Sequence, residues 1–257
     1  MENGKKPSRI NYCVLIPTYN NDQTLENVIS SVLEYTSNII VVNDGSNDNT
    51  ESILERFKEK IDIISNHKNH GKGAALRKGL KRAEELGYEY AITLDSDGQH
   101  YPSDIPKFLE KVTSGENILI IGNRDMSSEN IPQKSKFGRN FSNFWVKLET
   151  GKNLMDTQSG FRLYSIAAMN RFLFFTVKYD FELESLVRWL WKGYPVEFVT
   201  INVYYPPPEE RVSHFKGFKD NFRISLLNTV LVIITFVYII PRHFLSTMVK
   251  GVKNYII

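Results

Sequence analysis

Apolar and polar positions divide the first half of the chain into short runs separated by helix-period segments. The runs are YCVLI (12–16), IIVVN (39–43), IDII (61–64), YAITLD (90–95) and ILIIG (118–122). Four of the five are rich in Ile and Val and apolar on both faces, the pattern of central strands in a parallel sheet. Between them the spacing predicts helices over about 24–35, 49–59, 72–86 and 103–114. Asn49-Thr50-Glu51 opens the second of these as a helix N-terminus does. Alternation of this kind predicts an α/β fold, an open sheet covered by helices.

The alternation stops after Gly122. Residues 124–135 are polar and loop-like. Phe137, Phe141, Phe144, Trp145 and Leu148 then form an apolar stripe at helical spacing. Helices are expected over 165–173 and 181–192, and an alternating strand over 196–204. YYPPPEER ends regular structure, because three successive prolines lack the N–H that a ladder or helix needs.

From Ile224 to Ile240 the chain reads ISLLNTVLVIITFVYII, 17 residues without a charge. As a helix that run is roughly 26 Å long, slightly short of a hydrocarbon core. Pro241 is expected to break it. Beyond, Phe244, Leu245, Met248, Val249, Val252, Tyr255 and Ile256 recur at helical spacing, with His243, Lys250 and Lys253 on the other side. The alternative is a buried core helix with a fraying tail; the reading favoured is a membrane-associating segment. Its length leaves open whether it spans the bilayer or lies in the interface.

Composition narrows the class. With 257 residues, 42% apolar and 24% charged, the chain is neither disordered nor fibrous. Cys13 is the only cysteine, which excludes a disulfide framework and predicts a buried thiol in a reducing compartment. The basic opening MENGKKPSRIN is not followed by an apolar stretch of signal-peptide length, so no secretory signal is expected. The net charge of +3 is unevenly placed. Residues 209–257 hold seven Lys/Arg against three acids, whereas residues 1–208 carry a net −1. A basic tail beside an apolar run suits an anionic membrane surface better than nucleic acid.

In open α/β sheets, ligands bind outside the carboxyl ends of the strands. Four such ends carry candidate chemistry: Pro17-Thr18-Tyr19-Asn20-Asn21, Asn43-Asp44-Gly45-Ser46, Asp95-Ser96-Asp97-Gly98-Gln99-His100 and Gly122-Asn123-Arg124. Asp95 and Asp97, two residues apart past a strand, could converge on one hard cation, with Gln99 adding an oxygen and His100 a nitrogen. Such an ion would neutralise a diphosphate. There is no G-x-G-x-x-G after the first strand and no Walker lysine motif. The glycines fall instead in Asn69-His70-Gly71-Lys72-Gly73, opening the third helix, where Lys72 lies near a helix N-terminus. His67, His70 and His100 lack the spacing of a zinc site.

Taken together, PTYNN, NDGSND, GKGAAL, LDSDGQH, GNR, DTQSGFRLY and YDFELESLVRWL resemble the family-2 glycosyltransferases, and within them the dolichyl-phosphate mannose synthase/polyprenyl-phosphate glycosyltransferase group. The resemblance covers about residues 10–225. It implies a GT-A fold over 1–220, with a donor half to about 124, an acceptor half to about 220, and a membrane-associating tail over 221–257. It also implies a UDP- or GDP-sugar donor, Mg or Mn, inversion, and work at the cytoplasmic face of the membrane. Carried over, Pro17, Tyr19 and Asn21 border the nucleotide, with Asn21 standing where the family often has Glu. Asp44 bonds the base or ribose, Lys72 and Arg124 sit in the donor site, and Arg211 and Lys216 reach the diphosphate. Asp95, Asp97 and Gln99 hold the metal. Asp156, heading the acceptor-side segment, is the candidate base, with Glu182 and Asp180 behind it. The expected reaction is sugar transfer to a lipid-linked acceptor, polyprenyl phosphate first. The alternatives are transfer to a lipid or glycan hydroxyl in cell-envelope biosynthesis, or a non-catalytic nucleotide-sugar-binding protein.

Overall fold

The computed structural model describes residues 10–125, 133–205, 217–242 and 244. Seven strands form one sheet: β1 (Tyr12–Thr18), β2 (Ile39–Asn43), β3 (Asp62–Ser65), β4 (Tyr90–Thr93), β5 (Leu119–Arg124), β6 (Arg162–Ser165) and β7 (Val196–Ile201). Their order is β3-β2-β1-β4-β6-β5-β7. The helices are α1 (Leu25–Leu33), α2 (Thr50–Glu55), α3 (Lys72–Glu85), α4 (Ile105–Leu109), α5 (Gln133–Thr150), α6 (Ile166–Met169), α7 (Phe181–Trp191) and α8 (Gly217–Ile234).

The two-sided apolar runs are explained by two cores. Cys13 and Leu15 of β1 face one, with α3, α7 and part of α8. Val14 and Ile16 face the other, with α1, α2 and α4. Burial pushes the Cys13 thiol up to about 12, so it is inert.

Four expectations are corrected. The sheet is mixed, because β6 runs antiparallel between β4 and β5. All four of its residues, RLYS, are buried, but an arginine and a serine hide it from a hydropathy pattern, and 165–173 reads as a helix. The helix there is only Ile166–Met169. The helices expected over 49–59 and 103–114 shrink to Thr50–Glu55 and Ile105–Leu109, the latter preceded by a 3-10 turn at Pro102–Asp104. Pro241 does not break the C-terminal helix. A π-turn at Thr235–Ile239 precedes it and the helix continues through 240–242. Such a turn accommodates the proline ring and its missing N–H.

Among the described residues, Asp220–Arg242 is long and apolar enough to cross a membrane, and 22% of its most apolar window is buried. Leu227 and Leu231 are covered, whereas Leu226, Ile233 and Val237 are exposed. The covered side packs on α5 and α7. Thr235 Oγ1 donates to the Glu149 carbonyl (2.8 Å), and Trp191 Nε1 donates to the same oxygen (2.9 Å).

The Glu149 carboxyl is itself buried with neither oxygen hydrogen-bonded among the described residues. Burial pushes it up to about 8. A carboxyl raised on folding binds its proton more tightly in the native state. Stability is therefore greatest below the unfolded value near 4 and falls as pH rises towards 8, by at most about 1.4 kcal/mol per unit. Thermal melts should show this decline, and Glu149→Gln should flatten it. An equal slope in the variant would assign the decline to other groups.

Candidate functional site

Parallel pairing of β1 with β2 and with β4 brings three of the four candidate strand ends to one edge. The fourth joins them because β6 is antiparallel to both β4 and β5, which makes those two parallel. Pro17 is buried in register with Val42, and Tyr19 is half-buried just beyond it. Asn21 donates to Ser96 Oγ (2.7 Å) and Thr24 Oγ1 to the Ser96 carbonyl (2.6 Å), tying the end of β1 to the Asp95–Asp97 turn.

Asp44 is buried and holds the segment ahead of α3. Its carboxylate accepts from the backbone N–H of His70 (3.0 Å) and Gly71 (2.6 Å) and from Asn66 Nδ2 (2.8 Å). Gly71 reaches that position at φ +103°, a conformation that favours glycine.

That segment delivers Lys72 to the centre of the site. Its ammonium lies 2.7 Å from Asp95 Oδ1 and 3.0 Å from Glu182 Oε1, on the first turn of α7. Burial opposes the lysine charge, but Asp95 and Glu182 outweigh it and hold Lys72 firmly cationic. Burial likewise pushes Asp95 up, yet the Lys72 ammonium wins and holds it below the usual carboxylate range. Asp97 lacks this partner. Burial and then the Asp95 charge push it up to about 6, although the Gln99 N–H donates to its Oδ1 (3.0 Å). His100 is buried 5.3 Å from the Phe161 ring, and burial lowers it to about 4, leaving a neutral imidazole.

A site that raises the proton affinity of one carboxylate beside another is one that a cation would satisfy. Among the described residues no three His, Cys, Asp or Glu side chains converge as a metal cluster. Asp97, the oxygen of Asp95 not bonded to Lys72, and the Gln99 amide are oxygen groups of the type that could hold Mg or Mn.

At the end of β5, Arg124 forms a two-pronged pair with Asp156, Nε to Oδ2 at 2.7 Å and Nη2 to Oδ1 at 3.0 Å. Asp156 is fully buried and also accepts the Gln158 N–H. Asp180 is buried too. It accepts the Lys178 N–H and pairs with Arg223 of α8 at 3.2 Å. Arg211 and Lys216 lie outside the described residues.

Two residues that hold the site together escaped the sequence reading. Arg162 is fully buried, and its guanidinium donates to the carbonyls of Thr157, Ser159 and Glu182. It clamps the 156–160 loop to α7. A Cβ at Gly160 would sit 2.7 Å from Asp95 Oδ2 and 2.9 Å from Lys72 Nζ. Both lie in the DTQSGFR segment, so their motif was visible but not their roles. Gly160→Ala should lower kcat at least tenfold by displacing the Lys72 cluster. Unchanged kinetics would show that the cluster gives way freely.

The chain is similar to known proteins. The family model described as Glycosyl transferase family 2 matches residues 13–175. The UDP-N-acetylglucosamine–dolichyl-phosphate N-acetylglucosaminyltransferase of Methanococcus voltae is 33% identical over 175 residues, 61% of this chain and 70% of that protein. Polyprenol monophosphomannose synthase of Mycolicibacterium smegmatis is 25% identical over 216 residues, 79% of this chain and 80% of that one. Glucosyl-3-phosphoglycerate synthase from Mycobacterium tuberculosis, crystallised with Mn2+, UDP and phosphoglyceric acid, shares the fold. Its TM-score is 0.62 at 18% identity, covering 87% of this chain and 78% of that one.

Proposed function

The chain belongs to glycosyl transferase family 2, and on that premise we propose that it transfers a sugar from a nucleotide-diphosphate donor to a polyprenyl phosphate at a membrane surface. Relatives named for dolichyl and polyprenol phosphates support the acceptor class. One observation in this chain carries the choice. Each carboxylate expected as a base is already engaged: Asp156 by Arg124, Glu182 by Lys72 and Asp180 by Arg223. A hydroxyl acceptor needs a base, whose help is typically worth about 10²–10⁴-fold. A phosphate monoester, with its second pKa near 6, arrives largely ionised and needs none.

In this reading an acceptor phosphate oxygen attacks the anomeric carbon opposite the leaving group. The new C–O bond forms as the bond to the β-phosphate oxygen breaks, and the configuration inverts. Arg124 uses two of its nitrogens on Asp156 and brings its charge to the phosphates of the donor. Asp156 fixes its orientation. Lys72 holds Asp95 below the usual carboxylate range and keeps both Asp95 and Glu182 in place. A divalent cation held by Asp95, Asp97 and Gln99 would supply charge neutralisation for the departing nucleotide diphosphate. The exposed apolar side of α8, with the basic residues that follow it in the sequence, would keep the enzyme on the cytoplasmic leaflet.

The test is a panel of UDP- and GDP-sugars offered with a short polyprenyl phosphate or the matching polyprenol, with product mass as readout. Product with the phosphate and none with the alcohol is expected. Transfer to the alcohol at a comparable rate would overturn the acceptor assignment.

A further inference from the structure

The two glycines around Lys72 leave room for protein. A Cβ at Gly71 would sit 2.5 Å from the Val177 carbonyl oxygen, and one at Gly73 would sit 2.4 Å from Phe181 Cβ. The start of α3 is thus seated on the segment that enters α7. The first N–H groups of a helix have no intrahelical partner, and no side chain caps α3. The Val177 carbonyl meets part of that need by accepting the Ala74 N–H (3.0 Å). Asp44 holds the Gly71 N–H (2.6 Å). Lys72 stands in the chain between these two anchors. We propose that Glu184 is a positioning residue for the transfer reaction, setting the place of Lys72 by holding Val177 against α3. The proposal rests on reading the Lys72 cluster as part of the donor site.

Residues 172–177 have no regular structure, so no helix or ladder places Val177. Glu184 does. It is fully buried on α7, and its carboxylate accepts the Phe175 N–H (3.0 Å), the Thr176 N–H (2.9 Å) and the Thr176 hydroxyl (2.7 Å). Hydrogen bonds to an ionised acceptor are the strong ones. Arg188, one turn on, donates Nε to the same carboxylate (2.7 Å) and lies 4.5 Å over the Phe175 ring. On the far side of Val177, the Lys178 N–H donates to Asp180 (3.0 Å). A carboxylate buried under four donors is more than an i, i+4 ion pair on a helix surface.

The two glutamates of α7 divide the work. They are two residues apart, roughly 200° around the helix, so they serve different neighbours. Glu182 meets the Lys72 ammonium directly. Glu184 acts on the same lysine from behind, through Thr176, Val177 and the Ala74 N–H. Lys72 in turn sets where Asp95 and Glu182 lie. A displacement of about 1 Å at a reacting centre costs on the order of 10²-fold in rate, so a loose Val177 would be felt in turnover.

Three variants of the full chain test the link. Glu184→Gln removes the charge. Thr176→Val removes one donor and keeps the side-chain shape, so it carries the test if Glu184→Gln fails to fold. Thr176→Ser keeps the hydroxyl and is the rescue. The first readout is amide hydrogen exchange without substrate, followed by mass spectrometry. Exchange should rise at 174–177 and also at 72–76 in Glu184→Gln and Thr176→Val, and match the native chain in Thr176→Ser. The second readout is sugar transfer. Loss of placement acts on kcat. It should fall at least tenfold in Glu184→Gln and at least threefold in Thr176→Val, with KM for the polyprenyl phosphate within twofold of native. Thr176→Ser should keep native turnover. A rise in exchange confined to 174–177 would overturn this proposal alone. A rise at both segments with unchanged kcat would overturn it together with the role of the Lys72 cluster in transfer. Equal losses in Thr176→Ser and Thr176→Val would trace the effect to packing of the threonine methyl and overturn the link through the carboxylate.

Discussion

Asp97→Asn is expected to lower turnover by about 10²–10³-fold while leaving the melting temperature within a degree or two of the native protein. Asp97 is the one carboxylate of its turn with no cationic side chain paired to it, and burial and Asp95 together push it up to about 6. That imbalance costs the folded protein stability and is relieved by a cation. An uncharged amide relieves it too, so the fold tolerates the change, but it is a poorer ligand for a hard ion. Several kcal/mol of stabilisation for the departing diphosphate would go with the ion, and each 1.36 kcal/mol is tenfold in rate. The measurement is kcat against Mg or Mn concentration for both proteins, with the melt as control. Native-like turnover in the variant, or turnover of the native enzyme in excess chelator, would remove the metal from the mechanism.

How far the sequence reveals this site depends on the kind of residue. β1, β2, β4 and β5 are two-sided apolar runs, and parallel pairing brings their ends together, so Pro17, Asp44, Asp95 and Arg124 could be placed on one edge before any coordinates. Hydropathy carries no such signal for β6, a strand built around a buried arginine. Nor does spacing reveal that Arg162 spends its donors on three backbone carbonyls, because that role depends on where a distant loop and helix come to rest. The engagement of the candidate bases is hidden for the same reason. Asp156 and Arg124 are 32 positions apart, and Asp180 meets an arginine of the C-terminal helix. The α5 stripe shows the converse limit. Its periodicity predicts a helix with one apolar face, and that much holds, but periodicity is blind to whether the face meets a core, and Phe137, Phe141 and Phe144 stay exposed.

The second large effect is expected at Lys72, and it should announce itself through its dependence on pH. Asp95 and Glu182 share one ammonium at 2.7 and 3.0 Å in a largely buried cluster. In Lys72→Met both carboxylates keep their burial and lose their counter-charge. Breaking a buried pair from one side costs about 3–5 kcal/mol, so the variant should melt many degrees lower at neutral pH. The sign of the pH response then reverses at this cluster. In the native protein Lys72 holds Asp95 below its ordinary value. The stability from Asp95 is present above the unfolded value near 4 and lost as pH falls through the depressed folded one. Without the lysine, burial is left as the dominant influence and raises the folded value. The variant is then penalised at neutral pH and recovers as the carboxyl takes up a proton on acidification. The deficit relative to the native protein should therefore shrink steadily on acidification. Adding Glu182→Gln to Lys72→Met, which removes one of the two stranded charges, should restore part of the stability at pH 7. It should not restore activity, because Asp95 remains unanchored beside Asp97. A Lys72→Met protein whose deficit is the same at pH 5 and pH 7 would show that the lysine contributes packing rather than charge. The assignment of Lys72 as the residue that holds Asp95 below its ordinary value would then fail.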